Sequence, residues 1–263
     1  MLSKPPKIVA FDLETIPNLR EALTVWPQLS NYPGQTLKAS INSIVCFGWK
    51  ILGEPEAQVI SAWDFPSWLH DVNDDRELLR FAFDVLKDAD VVITQNGKAF
   101  DEKVLQTRLL LHGMDTLPKL NHVDTKLLAK KFSFFSNSLK YLSSQLSPER
   151  QKIENEGWNL WVRVHSREAE ACEEMARYCK GDVEALEAIY RKLRIASSGA
   201  NALPNHNLLQ VQGMKEVCPH CGSTRSIRFG VRYTATYSYQ RYQCCDCRSY
   251  FRTDMQNKNP RAI

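Results

Sequence analysis

No stretch of this 263-residue chain approaches the ~18 consecutive apolar residues of a membrane-crossing helix, so no helical span is expected. Lys4 and Lys7 open the chain, but Asp12 and Glu14 follow before an apolar segment can form. No secretory signal is read, and a cytoplasmic protein is expected. Internal repeats and low-complexity tracts are missing too, and neither charge sign dominates: 34 Lys and Arg face 30 Asp and Glu. With 43% hydrophobic and 24% charged residues the composition is that of a packed globular protein, which excludes general disorder. The length leaves room for one catalytic domain and a small appendage.

The near-balance of charge hides a division along the chain. Met214 to Ile263 holds nine Lys or Arg against three Asp or Glu, a balance of +6, which leaves −2 for residues 1–213. Cysteine divides in the same way: Cys46, Cys172 and Cys179 are scattered, whereas Cys218, Cys221, Cys244, Cys245 and Cys247 crowd together. Without an export signal, that crowding points to metal ligation rather than disulfides.

Residues 7–14 read as a strand, with β-rich runs at 41–51 and 57–63 placed to pair beside it. The apolar stripe of Leu78, Leu79, Phe81, Ala82, Val85 and Leu86 predicts a helix over 74–88, with Asp74 and Asp75 at its positive end. A short strand follows at 90–95, then a helix from the Asn96-Gly97 turn to Gly113. A fifth strand at 119–124, helices at 125–132 and 138–146, and a long helix at 167–195 with Gly181 as a candidate kink complete the pattern. Strands first and alternating helices afterwards predict a mixed α/β layer fold. Residues 196–213 lack any apolar period and read as a linker.

Three short motifs carry chemistry. Asp12 and Glu14 are two apart on the first strand and share a face. Adjacent carboxylates repel, and burial raises the cost unless a cation compensates. The second is Asn96-Gly97-Lys98-Ala99-Phe100-Asp101, directly after a strand; the third is Tyr178-Cys179-Lys180-Gly181-Asp182, whose phenol and carboxylate fall four apart on one helical face. Each in isolation has a plain explanation: a strand ending in solvent, a strand-to-helix turn with a first-turn acid, a surface Tyr/Asp pair.

Taken together and in this order, the motifs resemble the DEDDy branch of the DnaQ-like 3′–5′ exonucleases over residues 7–195. His122-Val123-Asp124-Thr125 and Ser138-Leu139-Lys140 look like the family's lesser motifs. The resemblance implies an RNase H-like fold, a mixed five-stranded sheet flanked by helices. It also implies two Mg²⁺ or Mn²⁺ ions held by Asp12, Glu14, Asp101 and Asp182, with Asp101 acting largely through bound waters. Tyr178 would orient the attacking water, with acceptance of the water's proton the alternative role if the metals depress the phenol's pKa. Glu14 and the backbone near Leu13 would meet the terminal 3′-hydroxyl, Phe100 would pack against the last nucleotide, and Thr15 and Asn96 would also bind the nucleic acid. Plain core packing is the competing role for Phe100. The related DEDDh branch places a histidine five residues before the final Asp, where this chain has Arg177; His165 is read as a loop residue.

Cys218-x-x-Cys221 and Cys244-x-x-Cys247 form two thiolate pairs of the spacing that closes a tetrahedron around one structural Zn²⁺. The segment between them resembles the zinc ribbons of insertion-element transposases. Its arginines, including Arg228, Arg232 and Arg241, interleave with Tyr233, Tyr237, Tyr239, Tyr242 and Tyr250, a pattern suited to phosphates and bases. Solvated arginines beside cross-strand tyrosine pairs are the competing reading. The expected organisation is an exonuclease domain at 1–195, a linker at 196–213, a zinc ribbon at 214–255 and a basic tail at 256–263. Single-stranded DNA 3′ ends are the favoured substrate, RNA is the close second, and replication or repair proteins are candidate partners. An RNA-processing or structure-selective nuclease and a non-catalytic nucleic-acid-binding module are the alternatives.

Overall fold

The computed structural model describes residues 7–16, 43–196, 218, 223–233, 237–248, 250–252 and 256–257. The chain divides into two units, Lys7–Tyr190 and a smaller one that includes Arg191–Ile263.

The larger unit is built on a five-stranded sheet. Its strands are β1 (Ile8–Ile16), β2 (Ser43–Ile51), β3 (Gln58–Ser61), β4 (Val91–Thr94) and β5 (His122–Asp124), in the spatial order β3-β2-β1-β4-β5. β1, β2 and β3 pair antiparallel, whereas β4 and β5 add parallel to β1. β1 and β4 are buried almost throughout, as strands in the middle of a sheet are, so β4 and the first half of β1 are nearly all apolar.

The helices are α1 (Ser67–His70), α2 (Arg76–Leu86), α3 (Asp101–Leu111), α4 (Thr125–Ala129), α5 (Leu139–Leu146), α6 (Trp158–His165) and α7 (Ala169–Ala196). Phe11, Phe47, Leu78, Leu79, Leu86, Leu105, Leu109, Leu160 and Met175 join one buried core. The expected strands and long helices are present with ends shifted by a few residues, and α7 continues through Gly181 as one element. Sequence reading missed α6. His165, expected in a loop, is the last residue of that helix and is exposed.

Two buried ion pairs fix the helices on the sheet. Lys50 on β2 meets Glu187 on α7 at 2.7 Å, both side chains less than a tenth exposed. Asp75, read from sequence as a first-turn acid of α2, is buried. Arg108 of α3 reaches its carboxylate with two nitrogens at 2.8 and 2.7 Å, His112 Nε2 lies 2.8 Å away, and Ile44 N–H donates to it at 2.9 Å. Burial opposes this charge, but His112 and Arg108 outweigh it and hold Asp75 below the ordinary carboxylate range. One carboxylate thus locks α2, α3 and the start of β2.

The smaller unit contains an antiparallel sheet of β6 (Ser226–Tyr233), β7 (Tyr237–Cys244), β8 (Tyr250–Arg252) and β9 (Gln256–Asn257), the last two pairing with different ends of β7.

Candidate active site

β1 outruns its parallel neighbour. β4 pairs with Ile8–Ala10 and ends at Thr94, so the carboxyl half of β1 loses its partner on that side. Asp101, the first residue of α3, fills the gap: its Oδ1 accepts the Leu13 N–H at 3.2 Å. The turn that delivers Asp101 is organised by Asp124, which accepts N–H groups from Asn96 at 3.0 Å and Lys98 at 3.3 Å while capping α4 through Lys126 and Leu127. Asn96 takes φ +68°, a left-handed conformation that asparagine tolerates.

Asp12 and Glu14 emerge side by side from this end of β1. Asp12 pairs across the sheet with Gly48, which has no side chain for a reason of space. A Cβ there would lie 2.8 Å from Cys179 Sγ and 2.9 Å from a Val183 methyl. Glycine lets α7 settle onto the sheet opposite Asp12, and that approach brings Asp182 to β1. Carboxylate oxygens of Asp12, Glu14 and Asp182 all lie within 4.8 Å of one another.

Glu14 and Asp182 are buried and Asp12 is half-buried. Burial, then the Asp101, Glu14 and Asp182 charges, push Asp12 far above its ordinary range, against the pull of Lys152. Burial followed by Asp182 raises Glu14 to about 8, and burial raises Asp101 to about 7. Asp182 is raised by burial as well, opposed by Lys152 and by a hydrogen bond from Tyr178. Four mutually repelling acids therefore sit at the end of the central strand, and burial and their mutual repulsion disfavour their charged forms unless a cation compensates.

One compensating charge is internal, and sequence reading did not find it. The Lys152 ammonium bonds Asp182 Oδ2 and lies 4.4 Å from the centre of the Tyr178 ring. Burial opposes its charge, but the Asp182 carboxylate outweighs that and raises its pKa. The loop carrying it packs tightly on α7, where a Cβ at Gly181 would meet Ile153 Cδ1 at 2.6 Å. Lys152 neutralises one oxygen only. Asp182 Oδ1 is buried without a hydrogen-bond partner, an expensive arrangement for a carboxylate. A three-carboxylate cluster with one unmatched buried oxygen fits a hard divalent cation such as Mg²⁺ or Mn²⁺, which takes oxygen donors.

Tyr178 lies on α7 one turn before Asp182 and meets the Trp161 ring edge-on at 6.2 Å. Burial, then the Asp182 charge, raise its pKa above the ordinary phenol value, so it stays protonated at neutral pH. Trp161 also donates its indole N–H to the Thr15 carbonyl at 3.0 Å. The Leu13 side chain is buried and its N–H is committed to Asp101. Phe100 stands 38% exposed just before α3, which removes plain core packing as its role.

In the smaller unit the sulfurs of Cys218, Cys244 and Cys247 lie within 4.8 Å of one another, and Cys218 and Cys247 are 3.6 Å apart. Thiolates sharing one tetrahedral Zn²⁺ at ~2.3 Å sit ~3.8 Å from each other, whereas a disulfide needs ~2.05 Å. Cys221 and Arg232 lie where the structure makes no side-chain description. Arg228 is exposed and Arg241 half-buried. Tyr242, counted from sequence among the tyrosines offered to bases, is buried against Phe251 and the cysteines.

Residues 35–194 match the sequence profile of the RNase H superfamily. The chain belongs to that superfamily. Its mixed sheet, with helices on both faces, is the RNase H-like fold, and the matched span includes Asp101, Tyr178 and Asp182. A solved structure of the same fold is the family B DNA polymerase from the hyperthermophilic archaeon Pyrobaculum calidifontis, at a TM-score of 0.53 and 16% identity over 89% of this chain and 32% of the polymerase. The RNase H-like chain thus spans about a third of the polymerase's length. No curated protein matches it by sequence.

Proposed function

We propose that this chain is a metal-dependent 3′–5′ exonuclease of the DEDDy type, acting on single-stranded ends, with DNA the first substrate and RNA the second. The observation that carries this reading is the convergence of Asp12, Glu14 and Asp182 around the unmatched Asp182 Oδ1, one helical turn from a protonated tyrosine. Two divalent ions bound there would activate water and offset the charge that develops on the phosphodiester.

Within that reading Asp12, Glu14 and Asp182 supply the inner oxygens. Asp101 holds the end of β1 through Leu13 and adds its charge beside Asp12. Tyr178 positions the attacking water by hydrogen bonding. Phe100 offers an exposed ring to the terminal base, with Asn96 and Thr15 at the rim. The nuclease domain is assigned to residues 1–195, followed by a linker at 196–213, a ribbon at 214–255 closed by one structural Zn²⁺ on Cys218, Cys221, Cys244 and Cys247, and a basic tail at 256–263.

The test is digestion of 5′-labelled single-stranded DNA, duplex DNA and RNA with Mg²⁺, with Mn²⁺ and with neither. A ladder shortening from the 3′ end, lost in Asp12→Ala and Asp182→Ala proteins that remain folded, is the expected result. Internal cuts would replace it by a structure-selective nuclease, and binding without cleavage by a non-catalytic module.

A further inference from the structure

The small sheet has two faces of different character. β7 alternates, so Tyr242 and Cys244 point one way and Arg241 and Gln243 the other. On the first face Tyr242 stacks on Phe251 at 5.4 Å and an interplanar angle of 16°, closing a core with Cys218 and Cys244. That face is spent on folding.

The second face is not. The register places Ile227 opposite Gln243, Gln243 opposite Tyr250, and Arg241 opposite Arg252, all on one side. There the Phe229 and Tyr250 rings lie 4.8 Å apart, and the Arg241 guanidinium sits 5.2 Å from the first ring centre and 6.0 Å from the second. Phe229 is 44% exposed and Tyr250 42%, with Ile227 open beside them on the same side. Exposing this much apolar surface on so small a sheet costs solubility and contributes nothing to the core, which is the mark of a binding face.

Charge decides the occupant. Residues 223–252 contain six arginines and one acid, Asp246, and that acid is already held by Arg225. The partner is therefore anionic. It also presents flat faces, to match the aromatic rings and the guanidinium group of this face. An unpaired nucleotide strand combines both, alternating phosphates with planar bases.

We propose that Phe229, Tyr250 and Arg241 form a stacking platform for unpaired bases of a single-stranded nucleic acid, with the surrounding arginines on its phosphates. The proposal rests on the reading of the chain as a nucleic-acid enzyme, and names the face by which its ribbon holds the polymer.

The test uses the whole 263-residue chain and a fluorescent oligothymidine, in buffer without Mg²⁺, Mn²⁺ or chelator, so that thiolate-bound zinc is retained. Phe229→Leu/Tyr250→Leu keeps the apolar volume but removes the flat rings. Its affinity falls about tenfold or more, with zinc content unchanged and the salt slope preserved. Arg241→Gln weakens binding and lowers the slope of log K against log salt by about 0.7, the value for one phosphate on a single strand. Tyr242→Leu, on the inner face, loses zinc instead. Unchanged affinity in both outer-face variants would overturn the proposal. The outcome is separable from the nuclease reading: a protein that never hydrolyses but binds less tightly without the rings keeps the platform and loses the enzyme. A protein that hydrolyses and binds equally well without them does the reverse.

Discussion

Glu14→Gln should make the metal-free protein more stable while removing its activity. In the folded chain burial and Asp182 move Glu14 from an ordinary 4.5 to about 8. Between those values the folded state holds a proton that the unfolded state has released, so stability falls as pH rises through the window. At pH 8 the full linkage amounts to about 4 kcal/mol against folding, an upper bound that water penetration and side-chain relaxation reduce to about 1–3 kcal/mol. Glutamine keeps the shape without the charge. Its protein should melt ~2–10 °C above wild type at pH 8 without Mg²⁺ or Mn²⁺, and close to wild type at pH 5. Saturating Mn²⁺ should reverse the order, since the wild type gains binding energy that the variant has lost. The assay is thermal unfolding followed by circular dichroism at pH 5, 6.5 and 8, with and without Mn²⁺. A wild-type midpoint that stays flat or rises from pH 5 to 8 in the metal-free protein would refute the reasoning.

Lys152→Met should have the opposite sign. It strips Asp182 of its buried counter-charge and lowers metal-free stability at pH 8 by about 2–4 kcal/mol, a deficit that Mn²⁺ largely repairs; an equal deficit with and without Mn²⁺ would make Lys152 a packing residue only. Gly48→Ala forces a Cβ against Cys179 and Val183, costing about 1–3 kcal/mol. By displacing α7 from β1 it should also cut hydrolysis about 100-fold in kcat, and full activity in a folded Gly48→Ala protein would show that helix position is not limiting. Cys244→Ser should release zinc, measured with a colorimetric chelator, and should leave the melting of the larger unit unchanged; retained zinc would contradict the ligand assignment.

Sequence reading reached the acidic residues because their spacing is local. Asp12 and Glu14 follow the two-residue period of a strand, and Tyr178 and Asp182 the turn of a helix, so their alignment needs no knowledge of the rest of the chain. Lys152 obeys no period. It lies in the irregular stretch before α6, and its approach to Asp182 depends on the missing Cβ of Gly181, a contact across twenty-eight positions of sequence. Asp75 has the same history, since the arginine and histidine that pair with it come from α3 and the residue just after it, over thirty residues later. α6 is only eight residues long and mixes tryptophan and valine into its turns, residues whose propensity favours strands. Tyr242 was legible but misread. It stands two residues before Cys244 on a strand, and that parity alone places it on the cysteine face.

The central claim is that the carboxylates at the end of β1 exist to hold divalent cations. Anomalous diffraction at the manganese edge, from crystals of the full chain grown with Mn²⁺, tests it most directly. The account predicts a peak among Asp12, Glu14 and Asp182, with Asp182 Oδ1 turned toward it. A map with no peak there, and with Lys152 alone still paired to Asp182, would contradict it.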